Sequence, residues 1–125
     1  LTMGFCSLLD VPIINPKLHR EYTECEQWRD QTLTRLRNEH PQLVVFSIAR
    51  DYGAAGLAAY SPTWLDSMTR LVQQLRGTGA QVLVLGPTPR ANSVVPICLS
   101  SHLADATACT ASASTAVNRL GIAAE

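Results

Sequence analysis

Two short apolar runs flanking one amphipathic helix pattern constrain this chain more than any other feature. Leu43-Val44-Val45-Phe46-Ser47-Ile48-Ala49 and Gln81-Val82-Leu83-Val84-Leu85-Gly86 are nearly continuous β formers of strand length. Such runs predict strands buried on both faces of a sheet. Between them, Ser61-Pro62 reads as an N-cap and first helical position. Trp64, Leu65, Met68, Leu71, Val72 and Leu75 then recur with helical spacing on one face. Gly77 closes the pattern as a C′ glycine. Strand, helix and strand with short connections make a βαβ unit, whose parallel crossover chain chirality makes right-handed.

Upstream, a helix is expected from about Glu24 to His40, with Glu24 and Glu26 in its first turn, Arg35 and Arg37 late, and Pro41 as its stop. Trp28, Leu33 and Leu36 give it a modest apolar stripe. Residues 7–23, with Pro12, Asn15 and Pro16 among Val11, Ile13 and Ile14, read as an ordered loop pinned by its apolar side chains. The Ala- and Ser-rich stretch from Thr110 to Leu120 reads as helical, and no repeat or linker divides the chain. With 125 residues it is one domain or part of one.

Charge excludes several function classes. Ten basic and ten acidic residues cancel, so no overall field attracts nucleic acid or an anionic membrane. The apolar runs are far shorter than the roughly 20 residues a membrane helix needs. No basic region followed by an apolar one opens the sequence, and the chain reads as cut from something longer. The four cysteines form no CxxC pair and lack a histidine at zinc-finger spacing, so no metal site is expected. Four cysteines allow three pairings. The sequence-local one, Cys6 with Cys25 and Cys98 with Cys109, closes two short turn-rich loops, each stabilising by roughly 3 kcal/mol. Four free thiols in a cytosolic protein are the alternative.

Ligands of parallel α/β sheets sit beyond the C-terminal strand ends. Those ends are Arg50-Asp51-Tyr52-Gly53 and Gly86-Pro87-Thr88-Pro89-Arg90. Arg50 could hold a carboxylate or phosphate, and Asp51 could orient a histidine; mutual or neighbouring ion pairing is the plainer role for both. Gly86-Pro87-Thr88-Pro89 is no phosphate cradle, because its prolines lack the N–H donors and no GK[ST] follows. GxGxxG, GxSxG and Gly-Asp-Ser are all absent. Ser47 falls inside a strand, where backbone bonding of its hydroxyl is expected. Ser100-Ser101-His102 are adjacent in sequence, which seldom presents geometry for proton transfer. His102 with Asp105 reads as a local cap or hydrogen-bonded pair, and His19 and His40 as solvated.

Several segments in order resemble the SGNH-like domain fused to membrane acyltransferase family 3 proteins, especially actinobacterial ones. They are Phe5-Cys6 with Asp10-Val11-Pro12, Tyr22-Thr23-Glu24-Cys25-Glu26-Gln27-Trp28-Arg29, His40-Pro41 through Phe46, Trp64-Leu65, Ala80 through Pro89, and Val95-Pro96-Ile97-Cys98-Leu99-Ser100-Ser101-His102 followed by Asp105 and Cys109. The resemblance implies an α/β, flavodoxin-like three-layer α/β/α SGNH hydrolase fold with a parallel sheet. Residues 1–125 would be the central part of one domain, lacking its first strand and C-terminal catalytic segment.

The implied chemistry is acyl transfer through a serine ester to a hydroxyl of an envelope carbohydrate or lipid, outside the cytoplasm. The implied partner is the integral-membrane acyltransferase domain of the same parent chain, and no cofactor, metal or nucleic acid is called for. The family's Gly-Asp-Ser serine would precede Leu1 and its Asp-x-x-His pair would follow Glu125. No catalytic residue is therefore expected inside this piece. Where the family's oxyanion asparagine should stand, this chain has Arg50-Asp51-Tyr52, so Arg50 becomes a candidate substitute donor and Asp51 a neighbour lining the site. The resemblance also implies bridges at Cys6, Cys25, Cys98 and Cys109. Two alternatives stand beside it: a non-catalytic SGNH-like module binding envelope glycan or a partner protein, and a cytosolic Rossmann-like domain, which the missing phosphate loop disfavours.

Overall fold

The computed structural model describes residues 1–4, 6–15, 17–50 and 58–125. The chain forms two compact units, residues 1–87 with Glu125, and residues 88–124. No helix among the described residues is long and apolar enough to cross a membrane.

The first unit is built on the expected βαβ element. Strand β3 (Leu43–Ser47) pairs in parallel with β4 (Gln81–Leu85), in a register setting Leu43 against Gln81 and Ser47 against Leu85. Helix α2 (Pro62–Arg76) connects them. Its start follows the capping expectation: Pro62 opens the helix and the Ser61 hydroxyl accepts from the Trp64 N–H at 3.4 Å. Trp64, Met68, Leu71 and Leu75 are buried on the face that the spacing marked.

Its end differs from the glycine expected at C′. Gly77 is the C-cap at an ordinary helical φ of −61°, while Gly79 takes the left-handed conformation at φ +89°. Two further turns, Thr78 N–H to Leu75 O and Gly79 N–H to Arg76 O, carry the chain past Gly77 before it reverses.

Helix α1 (Thr23–Glu39) ends in left-handed His40, whose N–H bonds to Leu36 O, with Pro41 next. Of the expected apolar stripe, Leu33 is buried and Leu36 packs against the core, but the inward face extends beyond it. Cys25, Arg29, Thr32 and Leu33 face inward, whereas Trp28 is only half-buried. Arg29 is 4% exposed and donates to Asp10 Oδ1 and to Val11 O, both at 3.2 Å. That guanidinium ties the segment before it to the helix, and Leu9, Val11 and Ile13 of the same segment enter the core. The 7–23 segment is thus ordered, and it includes a hairpin that periodicity did not reveal: β1 (Ile14–Asn15) pairs antiparallel with β2 (Arg20–Glu21). The Asn15 side chain accepts from the Lys17 and Leu18 N–H groups across the turn. Cys6 is bonded to Cys25, with Cα atoms 5.4 Å apart, and closes this segment at its neck.

The strands are not buried on both faces. Val44, Phe46, Val82 and Val84 pack against the core shared by α1 and α2. Leu43, Val45, Leu83 and Leu85 on the other face are 48–53% exposed. An unbroken apolar run marks a strand meant to be covered twice; here helices cover one face, and a third layer is not formed by the described residues of this unit.

In the second unit, α3 (Val95–Ser101) and a 3-10 turn (Ala106–Cys109) are clamped by the Cys98–Cys109 bridge, Cα to Cα 5.8 Å. The expected helix over 110–120 is instead split into α4 (Ala113–Ala116) and α5 (Arg119–Ala124). Ser112 caps α4 through the Thr115 N–H, Val117 takes extended angles, and the Asn118 side chain accepts from the Gly121 N–H, restarting the helix. Side-chain hydroxyl and amide oxygens at Ser112 and Asn118 thus offer the backbone two separate starts.

Candidate functional site

Parallel pairing in full register brings the C-terminal ends of β3 and β4 side by side, so the residues leaving those strands define the candidate site. Leaving β3, Ile48 is buried at 3% exposure. Arg50 follows with its side chain folded back. Its Nη1 donates to the Ile48 carbonyl, while Nε and Nη2 donate to the two Glu125 carboxylate oxygens at 2.8 and 2.7 Å. The two side chains are only 9% and 11% exposed. A paired fork-to-carboxylate geometry, shielded from water, is the strong form of an ion pair. The Arg50 guanidinium carbon also lies 5.6 Å from the centroid of the fully buried Trp64 ring, close enough for a cation–π attraction. Tyr60, at a left-handed φ of 66°, sets its ring 5.3 Å from that of Trp64.

Arg50 is thus a held donor at the end of β3. Its partner Glu125 lies 75 positions away and carried no sequence signal. Trp64 was legible only as a core residue of α2, yet its ring forms the wall beside the guanidinium. Asp51 lies outside the described residues. Gly86 and Pro87 follow β4 directly, with Gly86 exposed.

The remaining candidates are placed apart from this cluster. Ser47 is exposed on the open face of the sheet, not enclosed within it. The Ser100 and Ser101 hydroxyls both donate to Ile97 O, at 2.8 and 3.3 Å, while His102 Nδ1 bonds to Cys98 O at 2.9 Å. Neither hydroxyl is bonded to the imidazole. Asp105 caps the 3-10 turn; Thr107, first through its hydroxyl and then through its N–H, holds the Asp105 carboxyl below the ordinary aspartate range. His40 Nδ1 lies 3.4 Å from Thr78 O, and His19 is exposed. A cavity of about 220 Å³, lined by Asp10, Arg29, Arg37, Leu71 and Gln74 among others, has none of the residues leaving β3 or β4 in its lining.

One group that spacing had set aside does converge. Among the described residues, the donor atoms of Cys98, His102 and Cys109 lie within 4.8 Å of one another. Both sulfurs are bonded to each other at 2.05 Å, so neither is a thiolate ligand in this form.

No curated protein and no solved structure matches the chain. A family model described as an SGNH domain fused to AT3 domains matches residues 1–123. A parallel βαβ element with its polar cluster at the strand ends suits the α/β fold of that family. The chain therefore belongs to the SGNH-domain family fused to AT3 domains, an acyltransferase-associated module.

Proposed function

We propose that this chain is the central part of the SGNH domain of a membrane O-acyltransferase, which passes an acyl group, acetyl in the simplest case, to a hydroxyl of an envelope glycan or lipid. Membership of the family fused to AT3 domains carries this reading. In it, the serine nucleophile and its aspartate-oriented histidine are supplied by parent segments flanking residues 1–125. The bare face of the β3–β4 sheet supports that view, because Val45 and Leu83 would be covered once more of the domain is present. Two closed disulfides support a location outside the reducing cytosol.

Arg50 and Asp51 line the acyl-transfer site in this reading. An acyl carbonyl becomes an oxyanion as the serine attacks, and a cation held in advance stabilises that charge without reorganising. Ile48 O, Glu125 and the Trp64 ring hold the Arg50 guanidinium in place; among the described residues, that leaves part of its donor fork for substrate. The test is hydrolysis of p-nitrophenyl acetate by the parent chain. Replacement of the upstream serine should abolish turnover. Arg50→Ala should lower kcat by about 10²-fold, the usual effect of removing one oxyanion donor. Activity that survives the serine replacement would overturn the reading.

One observation favours a second reading, a non-catalytic module that binds envelope glycan or a partner protein. The Arg50 charge is already neutralised by Glu125, as in a structural pair. In that case the parent would show no esterase activity, and Arg50→Ala would act on stability alone.

A further inference from the structure

We propose that the cavity of about 220 Å³ lined from α1, α2 and the segment before them is a carbohydrate subsite that takes one pyranose ring, apart from the Arg50 cluster. The ligand class follows from the lining. That the ring belongs to the acceptor glycan rests on the acyl-transfer reading.

Helix spacing builds the walls. Arg29, Leu33 and Arg37 recur every four positions along α1 and so share one face, while Leu71 and Gln74 stand three apart on α2. Leu33 and Leu71 belong to the buried core and give the cavity an apolar patch, which suits the C–H face of a sugar ring. Arg29 is fixed in place, 4% exposed, with Nη1 on Asp10 Oδ1 and Nη2 on Val11 O, both at 3.2 Å. Its donors are not all used. Nη1 keeps a second N–H, and the buried Nε has no partner. A charged group shielded from water and short of acceptors gains from a ligand oxygen.

Charge then narrows the ligand. Arg29 and Arg37 stand against Asp10 and Asp30, so the lining is formally neutral, which disfavours a phosphate, a carboxylate or a metal cation. Guanidinium groups only donate and ionised carboxylates only accept, while the Gln74 amide does both. An uncharged ligand that meets all three at close quarters carries several hydroxyls, each a donor and an acceptor. The volume of about 220 Å³ lies below the roughly 300–1,000 Å³ of drug-sized pockets, which suits a single ring. A free amino acid is also neutral overall, so it enters the test as the competitor.

The experiment titrates the parent protein, in lipid nanodiscs free of glycosides, with methyl glucoside, methyl galactoside and methyl N-acetylglucosaminide, read by saturation-transfer NMR. At least one should bind with a dissociation constant of about 1 mM, as a ligand of about a dozen non-hydrogen atoms allows. Asp30→Ala and Gln74→Ala, both at exposed positions that spare the core, should each weaken binding about fivefold or more. Gln74→Trp, which fills the cavity, should abolish it. Arg35→Ala, on a side chain paired with Glu39 and outside the lining, should leave it unchanged. Hydrolysis of p-nitrophenyl acetate is read in parallel. A parent that binds glycoside without hydrolysing the ester overturns the acyl-transfer reading alone, and one that hydrolyses without binding overturns the subsite alone. The subsite is also overturned if every dissociation constant exceeds about 30 mM, if Asp30→Ala or Gln74→Trp binds like the parent, or if glutamine displaces the glycoside, as a pocket for a zwitterion would show.

Discussion

Removing the Cys6–Cys25 bridge is the perturbation whose cost the structure defines best. The bridge spans 19 positions, for which the chain-entropy relation gives about 3 kcal/mol released to the denatured state. Cys25 is fully buried in the same cluster as Leu9 and Leu33. Truncating both residues to alanine removes two packed sulfurs and adds about 1 kcal/mol. Alanine is the better replacement, since serine would bury an extra hydroxyl. The loss of about 4 kcal/mol is a large share of the 5–15 kcal/mol that holds a typical domain. Urea unfolding followed by Trp64 fluorescence, in a Trp28→Phe background, reads it directly, because Trp64 is 0% exposed in the core beside α1. At about 1.5 kcal/mol per molar urea the midpoint should fall by about 2.5 M. A fall under about 0.5 M would refute the reasoning, because the loop would then be held by Arg29 and its own apolar contacts without help from the bridge.

Other outcomes follow from single residues. Leu75→Ala, at a fully buried position on α2, should cost about 2–5 kcal/mol in the same urea assay. Gly79→Ala should cost about 1 kcal/mol through its φ of +89° despite the open space around it, whereas Gly77→Ala should be nearly neutral, its new Cβ meeting Gln74 O at 3.3 Å. The Asp105 carboxyl is held low when folded, so its cap is fully present above the unfolded value of about 3.9 and is lost as pH falls through the lower folded value. An NMR titration of the Thr107 amide should therefore show a midpoint below about 3.9, and a midpoint at or above that figure would contradict the cap.

How far the sequence could be read depends on which physics each element uses. The β3–α2–β4 unit was legible because Trp64, Met68, Leu71 and Leu75 repeat with the helix period and the strands are continuous β formers. The inward face of α1 was legible only at Leu33 and Leu36, because the rest is part polar: Arg29 is buried by donating to Asp10 and Val11 O, and no apolar period announces that. The same runs that located the strands also predicted cover on both faces, which Leu43, Val45, Leu83 and Leu85 lack. The Ala-rich tail looked like one helix because propensity ignores the competing caps at Ser112 and Asn118. At the candidate site, Arg50 could be placed at a strand end by topology alone. Its pairing with Glu125 depends on a contact across 75 positions, and no local pattern encodes that.

The most direct measurement is acyl capture on the intact parent protein, quenched with its acyl donor bound and mapped by peptide mass spectrometry. A serine ester is expected upstream of Leu1 and none on Ser47, Ser100 or Ser101. An acyl group stably carried by a serine within residues 1–125 would contradict it.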